Sequence, residues 1–136
     1  MDTDTPHASD ILSTLSNQMA DAVEKINPAL VQVNGRRRLP ASGIVYEQGM
    51  VLTASHVLER EEDLTIQTHD GHTHTAHFVA RDRASDIAVL SVADLEVGPA
   101  AAAATAARVG QFLLAVGRPS IPGPMASVGI VSAVSG

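Results

Sequence analysis

The spacing of apolar residues changes once along this chain, and that change limits what it can fold into. Before Pro28, the side chains of Ile11, Leu12, Leu15, Met19, Ala22, Val23 and Ile26 recur at helical spacing, and Asn27-Pro28 supplies a stop. The pattern predicts one amphipathic helix over about Ser9–Ile26. After Pro28 the period falls to two. Short aliphatic or β-branched runs stand at Leu30–Val33, Gly43–Val45, Met50–Thr53, Leu64–Thr68, Thr75–Ala80, Ile87–Val92, Phe112–Val116 and Val128–Val134, separated by turn formers. Many short strands after a single helix predict an all-β barrel or sandwich.

Such a fold needs a core, and here it must be aliphatic. Apolar residues make up 45% of the 136 positions, aromatic residues only 2% and charged residues 18%. The chain is therefore too apolar to stay disordered, and Val, Leu, Ile and Ala must fill its interior. The net charge of −6 argues against binding nucleic acid or an anionic membrane, because neutralising phosphates takes clustered positive charge. Zero cysteines exclude a disulfide framework, a thiolate metal site and a cysteine nucleophile. No apolar run approaches the ~20 residues that span a bilayer. Met1-Asp2-Thr3-Asp4 lacks the basic and apolar regions of a secretory signal.

The turns divide the strands into groups. Asp70-Gly71 lies between two strand-like runs and predicts a type I′ hairpin with positive φ at both central residues. Glu47-Gln48-Gly49 predicts another hairpin. Residues 1–8 are polar and read as a flexible N-terminus, and residues 9–92 hold the helix and six strands. Gly98-Pro99 and the alanine-rich Ala100–Ala107 offer no face to bury, so residues 93–110 read as a linker. Only two strands follow, in residues 111–136. A lone hairpin is marginal in water, so the chain reads as the front part of something longer.

Three stretches carry chemistry: Met50-Val51-Leu52-Thr53-Ala54-Ser55-His56-Val57-Leu58, Asp70-Gly71, and Ser85-Asp86-Ile87-Ala88-Val89-Leu90. They follow Ser42-Gly43-Ile44-Val45 and precede Val116-Gly117-Arg118-Pro119 and Val128-Gly129-Ile130-Val131-Ser132-Ala133. In this order and spacing, from about Ala20 to Gly136, the chain resembles the trypsin-like serine proteases of the bacterial HtrA (Deg) branch. The resemblance implies a trypsin-like (chymotrypsin-fold) double β-barrel, represented by the first barrel and the opening strands of the second after one N-terminal helix. It further implies that His56 is the catalytic base and Asp86 its orienting acid, with no cofactor and no metal. The implied activity is hydrolysis of peptide bonds in unfolded or misfolded polypeptides.

Physical chemistry supports these residue types independently. A neutral imidazole near its working pKa can accept a hydroxyl proton, and a carboxylate on its other ring nitrogen fixes the tautomer and stabilises the imidazolium. The nucleophile is a different matter. In the family the serine lies in a Gly-Asn-Ser-Gly-Gly stretch downstream of the strand matched by Gly129–Ala133. No Gly-x-Ser-Gly occurs in these residues, and Ser120, Ser127, Ser132 and Ser135 lack the glycine context of a backbone oxyanion hole. The expectation is that this chain alone is inactive and that the second half of the protease domain is its partner.

Weaker signals remain. His69, His72, His74 and His77 crowd one hairpin; His72 and His74 could share a strand face, but solvated histidines fit as well. Arg36-Arg37-Arg38 reads as a solvated loop. The helix either docks on the barrel or serves assembly, and the resemblance implies a homo-oligomer, a trimer, in an extracytoplasmic or periplasmic setting. The rival reading is a non-catalytic protease-like barrel that acts as a binding or assembly module.

Overall fold

The helix and strands are laid down in the predicted order, with boundaries set by pairing. The computed structural model describes residues 7–37 and 39–135; Arg38 of the basic triplet and nearly all of the expected flexible N-terminus lie outside them. Helix α1 spans Ala8–Ile26, and a 3-10 turn over Asn27–Ala29 follows it. The strands are β1 (Leu30–Asn34), β2 (Ala41–Glu47), β3 (Met50–Ala54), β4 (Leu64–Gln67), β5 (Thr73–Asp82), β6 (Ile87–Ser91), β7 (Phe112–Ser120) and β8 (Gly123–Ile130). No described helix is long and apolar enough to cross a membrane.

Strands β1 to β6 close into an antiparallel barrel in the order β1-β2-β3-β6-β5-β4, with β4 returning to β1. The period-two pattern explains its interior. Val31, Val33, Val45, Val51, Ile66 and Leu90 alternate inward and are fully buried, so the core is aliphatic, as the composition demands. β1 alone is buried along both faces. Its outward residues Leu30 and Gln32 are covered by β7, which pairs with β8 in a separate two-stranded sheet and lies against β1 and β2.

That covering contact is polar at its centre. The Arg118 guanidinium is buried and donates to carbonyl oxygens of Leu30 (2.8 Å), Ile121 (3.1 Å) and Asn27 (3.0 Å), and also to the Asn27 side-chain oxygen. Gln32 Nε2 donates to the Pro119 carbonyl at 2.8 Å, and the Arg118 amide donates to Ser42 Oγ at 2.7 Å. Gly117 permits this approach, because a Cβ there would lie 2.7 Å from Ser42 Oγ. Burial pushes the Arg118 guanidinium below its usual pKa, yet a guanidinium keeps its charge, and the converging carbonyls replace its lost water.

Several expectations are corrected. The Asp70-Gly71 turn is not type I′, because only Gly71 has positive φ (+88°). The Gly71 amide donates to the Thr68 carbonyl and the Thr68 amide to the His72 carbonyl, which makes a three-residue loop ending in a left-handed glycine. Asp70 instead caps the loop, accepting from the Thr68 hydroxyl, and that bond pulls its carboxyl below the usual range. The last strand is Gly123–Ile130 rather than Val128–Val134, because its partner β7 begins at Phe112, which pairs with Ile130. Residues 132–135 have no ladder partner, whatever their β propensity.

Packing also bears on the helix and on residues 93–110. Helix α1 buries none of its residues, so it is not docked on the barrel; Met19, Ala20 and Val23 line only a shallow groove with Leu114 and Ala126–Val128. The stretch expected to be a linker holds no helix or strand, but its first half is tied down. Leu95 is buried, its carbonyl accepts from Gln48 Nε2 at 2.7 Å, and the Ala100 amide donates to the Val45 carbonyl.

Candidate active site

The end of β3 and the start of β6 share one rim of the barrel, since Ala54 pairs with Ile87 in an antiparallel ladder. A 3-10 turn over Ser55–Val57 leaves β3 at that rim and carries His56; Asp86 is the residue just before β6. Residues 30 apart in sequence are thereby brought side by side. His56 Nδ1 lies 2.6 Å from Asp86 Oδ2, and the His56 backbone amide donates to Asp86 Oδ1 at 2.8 Å.

Asp86 has φ +60°, the left-handed region that aspartate tolerates better than most residues. This conformation lets one residue bind the turn three times, because its carbonyl also accepts from the Ser55 amide at 3.0 Å. The hydrogen bond from the His56 ring, then the one from its amide, holds the Asp86 carboxyl below the usual aspartate range. A carboxylate so held is ionised near neutrality and can only accept, so His56 Nδ1 must carry a proton, and in the neutral imidazole Nε2 then holds the free lone pair. Both side chains stay open to water, at 69% and 47% exposed, so the bond acts on tautomer and orientation more than on stability.

This arrangement predicts a pH response. The folded-state pKa of Asp86 is depressed, so the pairing is intact above the ordinary aspartate range and is lost as pH falls through the folded value. A carboxyl-carbon NMR titration should place Asp86 below an ordinary aspartate and return it toward that value in His56→Ala. An unshifted Asp86 in the unaltered protein contradicts the pairing.

The other sequence candidates are less organised. His69 and His72 sit in the β4–β5 loop, where His72 Nδ1 is 3.1 Å from Asp70 Oδ2, while His74 and His77 stand on β5. Among the described residues no group of three or more His, Cys, Asp or Glu is arranged to hold a metal ion. No serine hydroxyl among them hydrogen-bonds the His56 ring. Two structural supports carry no sequence signal of that role: Arg118, which stands within the Val116–Pro119 motif, and Arg81, which bonds the turn carrying His56; long polar side chains give no periodic pattern.

Comparison with known proteins fits this geometry. Residues 41–136 match the model of the trypsin-like peptidase domain family, and the chain belongs to that family. Its relatives place it with the HtrA proteases, in the N-terminal part of their protease domain. It is 34% identical over 129 residues to serine protease HTRA1 of Xenopus tropicalis, covering 85% of this chain and 28% of that one. It is 37% identical over 97 residues to the periplasmic pH-dependent serine endoprotease DegQ of Escherichia coli K12, covering 68% of this chain and 21% of the relative. The crystal structure of a serine endoprotease from Yersinia pestis superposes with a TM-score of 0.74 at 28% identity, over 84% of this chain and 44% of that one. The chain thus spans about a quarter of the length of these curated relatives.

Proposed function

We propose that this chain is the base-bearing front part of an HtrA-like serine endopeptidase acting on unfolded or misfolded polypeptides. The observation that carries the reading is the 2.6 Å bond from His56 Nδ1 to an ionised Asp86. His56 Nε2 takes the proton of an attacking serine hydroxyl, and the imidazolium so formed is stabilised by Asp86. The same nitrogen then returns the proton to the leaving amine. In this reading the serine and its oxyanion donors come from a second-barrel segment. In this reading residues 9–92 form the base-bearing unit, 93–110 the connection and 111–136 the first strands of the serine-bearing unit. Homo-oligomeric assembly, as a trimer, is part of the same reading.

The test is casein cleavage and fluorophosphonate labelling, run on the 136-residue chain and on the chain supplied with a second-barrel segment bearing the serine loop, in cis or as a separate polypeptide. The chain alone should be inert and the completed protein active. Labelling of the chain at one of its own serines overturns the assignment of the nucleophile. An inert completed protein that still binds unfolded polypeptide overturns the peptidase reading in favour of a binding module.

A further inference from the structure

Asp86 satisfies the donors of the turn that carries His56, but a turn held only by its amides can still rock. Its acceptors are held by Arg81, near the end of β5. Arg81 Nη1 donates to the Ser55 carbonyl at 3.4 Å and to the Leu58 carbonyl at 3.3 Å, and Nη2 donates to the Leu58 carbonyl at 3.3 Å. These carbonyls bracket His56. The Ser55 carbonyl also accepts from the Leu58 amide at 3.1 Å, the bond that closes the turn.

The Arg81 side chain is itself fixed. It is only 10% exposed, its guanidinium lies 5.5 Å from the centre of the Phe78 ring, and its Nε is 3.2 Å from Glu61 Oε1 without the alignment of a hydrogen bond. A guanidinium lying along an aromatic ring is steered as a rigid fork, and a fork suits two carbonyls a few ångströms apart better than a single ammonium does. β5 and β6 are hydrogen-bonded neighbours, with Arg81 paired to Ala88 and Asp82 to Ile87. One hairpin therefore clamps the His56 turn from both sides, with Asp86 on its amides and Arg81 on its carbonyls.

We propose that Arg81 is a positioning residue that sets the His56 imidazole against Asp86 by fixing the Ser55–Leu58 turn. This rests on the reading of His56 and Asp86 as a base and its orienting acid. Arg81 does not touch the imidazole; its effect passes through the backbone. Charge-assisted hydrogen bonds to carbonyls in a half-buried place are strong enough for their loss to loosen the turn without unfolding the barrel.

The experiment is proton NMR of the unaltered chain, reading the low-field His56 Nδ1 proton and the exchange of the His56 and Leu58 amides. Arg81→Met should speed exchange of all three protons by about tenfold or more, the loss expected for one charge-assisted bond. Arg81→Lys, which keeps a donor but not the fork, should recover part of the protection. The barrel amides of Val51 and Leu90 should stay protected throughout. If Arg81→Met does not fold, Arg81→Gln takes its place under the same criterion.

A folded Arg81 variant whose Nδ1 proton and turn amides exchange as in the unaltered chain overturns the proposal. Asp86→Asn is the control and should abolish the low-field signal. If long-range proton–nitrogen correlation on the unaltered chain finds His56 Nδ1 unprotonated, the His56–Asp86 reading fails and the Arg81 proposal falls with it. A signal that is present but indifferent to Arg81 removes the Arg81 proposal alone.

Discussion

Asp86→Asn in the protein completed with its serine-bearing segment should lower kcat by about 10⁴-fold and leave the fold intact. Asparagine tolerates the left-handed region at least as well as aspartate, so the φ of +60° and the backbone bond to Ser55 should survive. Only the chemistry at the imidazole changes. An amide can donate to Nδ1, which favours the tautomer with the proton on Nε2, and that tautomer has no lone pair for the serine. His56→Ala removes the base altogether and should cost about 10⁶-fold. The check is steady-state cleavage of an unfolded protein, with circular dichroism to confirm folding. A folded Asp86→Asn enzyme within tenfold of the parent would show that Asp86 does not set the tautomer.

The second large effect is on how the β7–β8 hairpin is held. Arg118→Met keeps much of the side-chain volume and deletes every donor that reaches Leu30, Asn27 and Ile121. Buried carbonyls left without donors cost about 1–3 kcal/mol each, partly relieved by water entering as the sheet lifts. We expect hairpin docking to weaken by roughly 2–4 kcal/mol, with Arg118→Lys recovering little because one ammonium cannot span the same carbonyls. Native-state hydrogen exchange separates this from general destabilisation. Amides of Ala115 and Val116 should lose protection while those of Val51 and Leu90 in the barrel keep theirs. Unchanged protection in β7 would mean that apolar contact alone holds the sheet.

How far the sequence could be read follows from where each feature is encoded. The barrel was legible because its cause is local: Val33 and Ile66 stand between polar neighbours, and Gly43–Val45 and Met50–Thr53 are short aliphatic runs on either side of the turn formers Glu47-Gln48-Gly49, all visible within a few residues. The His56–Asp86 contact was legible through motif context, since Thr53–Val57 and Ser85–Leu90 mark the two strand ends that share a rim. Strand limits were not, because residues 132–134 continue the strand-like run and lack only a partner. The Asp70-Gly71 loop failed for a related reason. Thr68 and Asp70 bond one another and move the turn one residue earlier, so glycine alone takes positive φ.

Arg118 and Arg81 were illegible as supports for a different reason. Arg118 bonds backbone carbonyls as far as 91 positions away, and carbonyls are the same at every residue, so no sequence signal marks them. The unburied helix belongs here too. Its apolar face is plain in the sequence, but whether anything covers that face depends on a surface the pattern does not describe.

The account turns on one atom-level claim, that Asp86 holds His56 with the proton on Nδ1 and the lone pair on Nε2. Long-range proton–nitrogen correlation on the isotopically labelled chain, in mildly alkaline solution where imidazole is neutral, reads this directly. The account predicts a His56 with a protonated Nδ1 and an unprotonated Nε2, reverting in Asp86→Asn to the Nε2-protonated form that is ordinary for free histidine. A His56 that carries its proton on Nε2 in the unaltered chain would contradict it.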